Sequence, residues 1–248
     1  MQGKIFTSMS EEPEVAASVL IPTSVKSEQP WPPPGIKWYY ADASCCIAHS
    51  DCREILPHLP KVDLVLTDPP YGISHPTNYH ERGRDKLATC RNYVPVHEDD
   101  QPFDPVLILS LNVPTVLFGA NYFANKLPHS SGWLVWDKER PHDLDQATCE
   151  MAWTNYVKGA RVFRFMWHGM IRATHEPLEH PTQKPTELIK WICELKWTPA
   201  GTILDPFMGS GTTLRAAKDL GRQCIGIEIE EKYCEIAARR LGQEVLDL

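Results

Sequence analysis

The stretch from Thr202 to Leu241 most constrains what this chain can fold into. TILD (202–205) reads as a buried strand and runs straight into the turn DPFMGSGTT. A helical pattern follows from about Thr212 to Leu220, with Gly221 as its stop. QCIGIE (223–228) is a second strand, and a helix is expected from about Glu231 to Leu241. Two strands joined through a helix must run parallel, because the helix carries the chain back across the sheet. The expected class is therefore α/β: a doubly wound, mostly parallel sheet with helices on both faces.

The rest of the chain supplies elements for such a sheet. Strands are expected at Cys46–Ala48, Val62–Leu66, Thr115–Phe118, Trp133–Trp136 and Val162–Trp167, the last as a core strand. Helices are expected at Arg53–Leu59, at Pro105–Leu111, near Asp145–Thr154 and at Pro185–Leu195, where a proline occupies the first turn. Residues 1–35 are rich in Ser, Glu and Pro and end in WPPPG, so they read as a disordered or extended arm. Residues 36–248 are then expected to form one domain.

Several function classes recede at this stage. No apolar run approaches the ~18 residues of a membrane span, and no basic-then-apolar leader opens the chain. The eight cysteines contain no CxxC pair and read as reduced, mostly buried thiols of a cytosolic protein. His168, His175 and His180 are close in sequence but match no zinc spacing, so no metal is expected. A formal charge of -7 argues against a protein that coats nucleic acid non-specifically. A local basic face remains open, with candidates in residues 81–91 and 158–172.

The glycine turn suggests a ligand. Gly209 and Gly211 permit close backbone approach, and the start of the following helix favours an anionic group. Glu228, one strand later, is placed to take ribose hydroxyls. The dinucleotide pattern GxGxxG is not met, because Thr212, Thr213 and Leu214 follow Gly211. No lysine follows the glycines as a phosphate loop requires. A nucleoside amino acid such as S-adenosylmethionine fits what remains.

A second motif leaves the strand at Val62–Leu66 as TDPPYG (67–72). An exocyclic base amine is a poor nucleophile because its lone pair is conjugated with the ring. Two acceptors aimed at its N–H bonds would free that pair. The Asp68 carboxylate can supply one, and the Pro69 carbonyl, stiffened by Pro70, the other. Tyr71 can stack on the base, worth about 1–3 kcal/mol. A base in a duplex would have to be flipped out to reach this spot. A proline-rich turn closing a strand is the plain structural alternative.

TDPPYG, HPTQKP (180–185) and DPFMGSGTT, in that order, resemble the permuted β class of DNA amino-methyltransferases. In that class the catalytic half, here about 36–170, precedes the cofactor-binding half, here about 180–248. The resemblance covers roughly Ile47 to Leu241. It implies a circularly permuted, Rossmann-like methyltransferase fold with S-adenosyl-L-methionine as cofactor and double-stranded DNA as substrate. It implies Asp68, Pro69, Pro70 and Tyr71 as catalytic residues. For the cofactor it implies Asp51 and Cys52 near the adenine, and His180, Thr182, Gln183 and Lys184, with Lys184 by the methionine carboxylate. It further implies Asp205, Pro206, Phe207, Met208, Gly209, Ser210, Gly211, Thr212, Thr213 and Glu228. GWLVWDK and the segment around CEMAWT resemble pieces that line the target-base pocket.

In much of this class a recognition segment separates the catalytic half from HPTQKP, and here little room exists for one. The long stretch 73–104 is the substitute, with Arg82, Arg84, Lys86 and Arg91 as expected DNA contacts. The leading Asp68 favours the N6 amine of adenine. Cytosine-N4, an RNA or protein amide target, and a non-catalytic nucleic-acid-binding subunit are the alternatives. A second copy of the chain and a companion restriction enzyme are candidate partners, in a cytoplasm of prokaryotic, phage or mobile-element type.

Overall fold

The computed structural model describes residues 30–74, 97, 99–140, 147–168, 171–174, 176, 177, 179, 180 and 182–243. Short runs of continuously buried residues in the central strands build a nine-stranded sheet from β1 (Tyr40–Ala41), β2 (Cys45–His49), β3 (Leu64–Thr67), β4 (Thr115–Phe118), β5 (Gly132–Asp137), β6 (Cys149–Thr154), β7 (Ala160–Arg164), and, after a two-stranded ribbon of β8 (Trp167–His168) and β9 (Ile171–Arg172), β10 (Ile203–Asp205) and β11 (Cys224–Glu228). The order across the sheet is β1-β2-β11-β10-β3-β4-β6-β5-β7. The five strands from β2 to β4 in that order are mutually parallel. β6 runs antiparallel to both β4 and β5, and β7 is parallel to β5.

Side-chain alternation divides the core between the two faces of the sheet. Cys45, Ile47, Leu64 and Leu66 meet Leu188 and Ile192 of α3 (Thr186–Glu194), Leu214 and Ala217 of α4 (Thr212–Asp219), and Cys234 and Ala237 of α5 (Glu231–Gly242). Cys46, Ala48, Val65 and Leu117 pack on the other face, against Cys52 of α1 (Cys52–Ile55) and Ile108 of α2 (Val106–Leu109). The buried positions of strand and helix thus agree in period, and the doubly wound α/β expectation holds.

Two expectations are corrected. The helix near Asp145–Thr154 is instead strand β6, hydrogen-bonded on both sides. Pairing along its full length with β5, and over Ala152–Thr154 with β4, overrides its weak helical pattern. Val162–Trp167 is not a core strand: β7 pairs only with β5, and its residues alternate between exposed and half-buried. Residues 1–29 of the expected arm lie outside the described residues. At its end, the Trp31 indole N–H donates to the Asp42 carbonyl (2.8 Å), and Trp31 packs on the core face that holds Val65. Among the described residues no helix is long and apolar enough to cross a membrane.

Candidate active site

Parallel pairing of β3 with β10 places two loops side by side at one edge of the sheet. The pairing sets Leu64 opposite Ile203 and Val65 opposite Leu204. Both strands end on a polar residue, and these meet: Thr67 Oγ1 donates to Asp205 Oδ1 at 2.6 Å. TDPPYG and DPFMGSG therefore leave from adjacent strand tips, where open α/β sheets bind ligands. A cavity of about 660 Å³ lies between them. Asp68, Pro69, Pro70 and Tyr71 line it on one side, and Asp205 through Ser210 with Glu228 on the other. Asp51, Cys52, His180, Thr182, Gln183, Lys184, Thr212 and Thr213 also line it. Gly211 does not line it: φ is +79° and a Cβ there would press on Ala237 of α5, so its freedom serves helix packing.

The Asp68 carboxylate is held at both oxygens. The Tyr71 hydroxyl donates to Oδ1, and the Lys184 ammonium donates to Oδ2. Burial pushes the Asp68 carboxyl up, the Lys184 charge pulls it back, and the nearby Glu150 adds to the rise. Lys184 is 6% exposed and also lies 3.1 Å from Glu150 Oε2. Burial alone would lower its pKa, but Asp68 and Glu150 more than offset that and hold it above the usual lysine range. Glu150 Oε1 in turn meets Lys138 Nζ at 2.5 Å. Burial opposes ionisation of Glu150, yet the two ammonium groups bring its pKa down to about 2. An alternating row of charges, Lys138–Glu150–Lys184–Asp68, thus runs under the tetrad and ends on the Tyr71 hydroxyl.

The Tyr71 ring is fixed by packing as well. It stacks on Tyr122 at 5.2 Å between centroids and 17° between planes. It lies over Gly119, whose φ is +64° and which has no Cβ to push it away. Behind it the buried Asp99 Oδ1 accepts from the backbone N–H groups of Tyr71 (3.0 Å) and Gly72 (2.9 Å). A single carboxylate collecting successive amides sets the turn that follows the prolines.

The glycine turn is braced against β11. Gly209 N–H donates to Glu228 Oε2 (2.9 Å), Glu230 N–H to Glu228 Oε1 (2.8 Å), and Met208 N–H to the Ile227 carbonyl (3.1 Å). Burial raises the Glu228 carboxyl to about 6, with the two amides opposing. Burial likewise raises Asp205 to about 6. Arg240 of α5 donates to the Ser210 carbonyl (2.7 Å) and pairs with Glu176 at 2.7 Å. Glu176 also accepts from the Thr186 hydroxyl (2.8 Å), so α5, the glycine turn and the start of α3 are tied together.

Other expected site residues are engaged as follows. Asp51 caps α1 by accepting from Arg53 N–H at 2.8 Å, and Arg53 donates to both its oxygens; the guanidinium holds this carboxyl below its ordinary value. The His180 ring meets Tyr233 edge-on at 4.4 Å. Among the described residues no group of three or more His, Cys, Asp or Glu side chains is arranged to hold a metal ion. Of the three histidines weighed for metal, His175 lies outside the described residues. So do Arg82, Arg84, Lys86 and Arg91. The seven described cysteines are all free thiols, and burial raises Cys45 to about 12 and Cys52 to about 11. Glu150, Asp99, Tyr122 and Gly119 were not singled out from the sequence. The only signal for Glu150 was the likeness of CEMAWT to pocket-lining segments.

Fold and site define an α/β enzyme whose cavity sets a carboxylate–tyrosine tetrad against a glycine turn. A DNA methylase family model, that of the N6 and N4 methyltransferases, matches residues 136–239. The type II methyltransferase M.ScaI of Streptomyces caespitosus is 26% identical over 86% of this chain and 86% of its own. Two solved structures share the fold. One is an M1.HpyAVI–SAM complex, with 24% identity, 80% of this chain, all of that chain and a TM-score of 0.51. The other is the cytosine-N4-specific PvuII DNA methyltransferase, with 15% identity, 86% and 92% of the two chains and a TM-score of 0.57. The chain is thus similar to the N6/N4 family of DNA methyltransferases, whose model matches its residues 136–239.

Proposed function

We propose that this DNA methyltransferase moves the methyl group of S-adenosyl-L-methionine to the exocyclic N6 amine of an adenine flipped out of double-stranded DNA. The observation that carries the reading is the cavity shared by Asp68 and the Gly209–Ser210 turn with Glu228. Its size suits a nucleoside amino acid, since ligand sites of this kind run from roughly 300 to 1,000 Å³. When bound, the cofactor supplies an electrophilic methyl group on a sulfonium. Glu228 would take the ribose hydroxyls, Asp51 and Cys52 would flank the adenine ring, and Lys184 would stand by the carboxylate.

The chain's own residues then act on the amine. Asp68 uses one lone pair of each oxygen on Tyr71 and Lys184. A carboxylate has about four such sites, so acceptor capacity remains for an amine N–H. The Pro69 carbonyl is the proposed acceptor for the second N–H. Drawing both N–H bonds toward acceptors turns the lone pair out of conjugation, and the carboxylate stabilises the positive charge that grows on nitrogen. The nitrogen gains the methyl group and sheds one proton to solvent. Fixed alignment of donor and acceptor accounts for most of the rate.

Asp68 as the leading residue of the tetrad supports adenine over cytosine. The stretch holding Arg82, Arg84, Lys86 and Arg91 is the proposed DNA contact. The type II name of M.ScaI supports a companion restriction enzyme as a partner, and a second copy of the chain is the other partner proposed. The test is transfer of labelled methyl to unmethylated duplex DNA, followed by digestion to nucleosides. Label in N6-methyladenine is expected. Label in N4-methylcytosine overturns the base assignment, and no label on DNA overturns the function.

A further inference from the structure

Glu150 sits beside the tetrad on β6, and the reaction as written makes no use of it. Its neighbours are two lysines. Lys184 Nζ is 3.1 Å from Glu150 Oε2 while also donating to Asp68 Oδ2. Lys138 Nζ is 2.5 Å from Glu150 Oε1 and stands 4.9 Å from the centre of the Trp136 ring. One ammonium is thus shared by two carboxylates, and the outer carboxylate is anchored by a second ammonium.

We propose that Glu150 is a positioning residue for methyl transfer: standing against the Lys184 ammonium that contacts Asp68, it offsets part of that positive charge and so leaves Asp68 a good acceptor for the target amine. The inference rests on the methyl-transfer reading of Asp68. Its physical basis is competition for one buried cation. An ammonium held in a poorly solvated site needs counter-charge close by. With two carboxylates in reach, Lys184 hydrogen-bonds to Asp68 and divides its charge between Asp68 and Glu150. Without the charge of Glu150, Asp68 is the one carboxylate among the described residues paired with Lys184. Asp68 then feels more of the Lys184 charge and becomes a weaker base and a poorer acceptor for the amine N–H as charge grows on nitrogen.

The groups that act on Asp68 come from every side. Lys184 and Glu150 face it, the Tyr71 hydroxyl donates to it, and Asp205 couples to it from the tip of β10. Tyr122 stands behind Tyr71, while Lys138 and Arg140 act on Glu150. Because the signs alternate along the row, two substitutions must move Asp68 in opposite directions. Glu150→Gln removes a negative neighbour and frees Lys184 for Asp68. Lys138→Gln leaves Lys184 as the one ammonium paired with Glu150, which takes up more of its charge and leaves less for Asp68.

The experiment measures kcat, KM for unmethylated duplex DNA and the pH–rate profile of wild type, Glu150→Gln, Glu150→Asp and Lys138→Gln. The Asp68 carboxyl is titrated alongside by carbon-13 NMR, assigned with Asp68→Asn. In Glu150→Gln, kcat should fall roughly tenfold with KM little changed, the scale expected for removing one charge-assisted hydrogen bond. Its acid limb and the Asp68 titration should move to lower pH by on the order of one unit. Glu150→Asp should restore the wild-type limb, and Lys138→Gln should move limb and titration to higher pH. Weakened packing alone cannot produce opposite signs. If wild type methylates DNA but the titrations coincide, or Glu150→Gln and Lys138→Gln shift the same way, this inference fails while the function stands. If wild type leaves DNA unmethylated, the function fails and takes the inference with it.

Discussion

Gly119 gives the sharpest test of how Tyr71 is held. Its φ of +64° is left-handed, and a Cβ built there would lie against Cε1, Cζ and Cδ1 of Tyr71. Gly119→Ala therefore carries two costs. A left-handed alanine costs roughly 1–2 kcal/mol from backbone sterics alone. The clash adds about 1–3 kcal/mol, typical of overpacking, because the ring has little room to yield. The ring also stacks on Tyr122, and its hydroxyl is tied to Asp68. Gly221, which ends α4, separates the two terms: its φ is +66°, but a Cβ there meets nothing within 4 Å. Gly221→Ala should thus show the backbone cost alone, a fall in Tm of about 2–8 °C for a chain of this size. Gly119→Ala should fall further by about 2–12 °C, with the added overpacking. Methyl transfer should be unchanged in Gly221→Ala. In Gly119→Ala it should drop about a hundredfold, as a displaced Tyr71 drags its hydrogen bond to Asp68 out of line. Thermal unfolding and labelled-methyl transfer on the same preparations decide the matter. Equal melting and equal turnover in the two variants would falsify the claim that Gly119 seats the ring.

Three further outcomes follow from charges in and near the cavity. Burial raises Glu228 to about 6, and the ribose role proposed for it needs the ionised form, so cofactor affinity by calorimetry should weaken as pH falls through about 6. Glu228→Gln should bind weakly with a flatter profile across that window, and an unchanged slope would remove Glu228 from the ribose role. Asp205, also raised to about 6, binds its proton more tightly folded than unfolded, so its contribution to stability is greatest at low pH and is lost as pH rises through about 6. Relative to wild type, Asp205→Asn should gain stability between about pH 4 and pH 6, and parallel melting curves there would count against its burial penalty. Replacing Arg82, Arg84, Lys86 and Arg91 with alanine should weaken DNA binding and reduce the log–log salt dependence by roughly 0.9 for each phosphate no longer neutralised. Unchanged affinity and slope would move the DNA surface elsewhere.

Where an element's own residues decided its state, the sequence was enough. The strand–turn–helix–strand–helix run of the carboxyl third formed as read, because buried periodicity, a left-handed glycine after α4 and parallel pairing all ask for one arrangement. The tetrad and the glycine turn were legible for the same reason: each sits where a buried strand must hand over to a loop. That they face each other was not legible in either motif. It depends on β3 and β10 being neighbours although Thr67 and Asp205 stand 138 positions apart, and only the shared register and the hydrogen bond between those two residues bring the tips together.

The failed reading near Asp145–Thr154 shows why the rest of the site stayed hidden. As a helix, that segment would have carried Glu150 on an arbitrary face. As β6, it runs opposite to β4, with Phe118 paired to Ala152 and Val116 to Thr154. The amino end of β6 therefore lies at the same edge as the carboxyl ends of the parallel strands. A reversed strand beside a parallel set brings a residue from a strand's start, rather than its end, to that edge, where Glu150 meets the cavity-lining Lys184. β5, antiparallel to β6, brings its own carboxyl end to that edge and with it Lys138. Both members of the outer ion pair thus owe their position to strand direction, a property of the whole sheet that local pattern does not encode. Asp68 and Lys184 could be found as members of motifs, but their partners could be found only from the topology that turns β5 and β6 around.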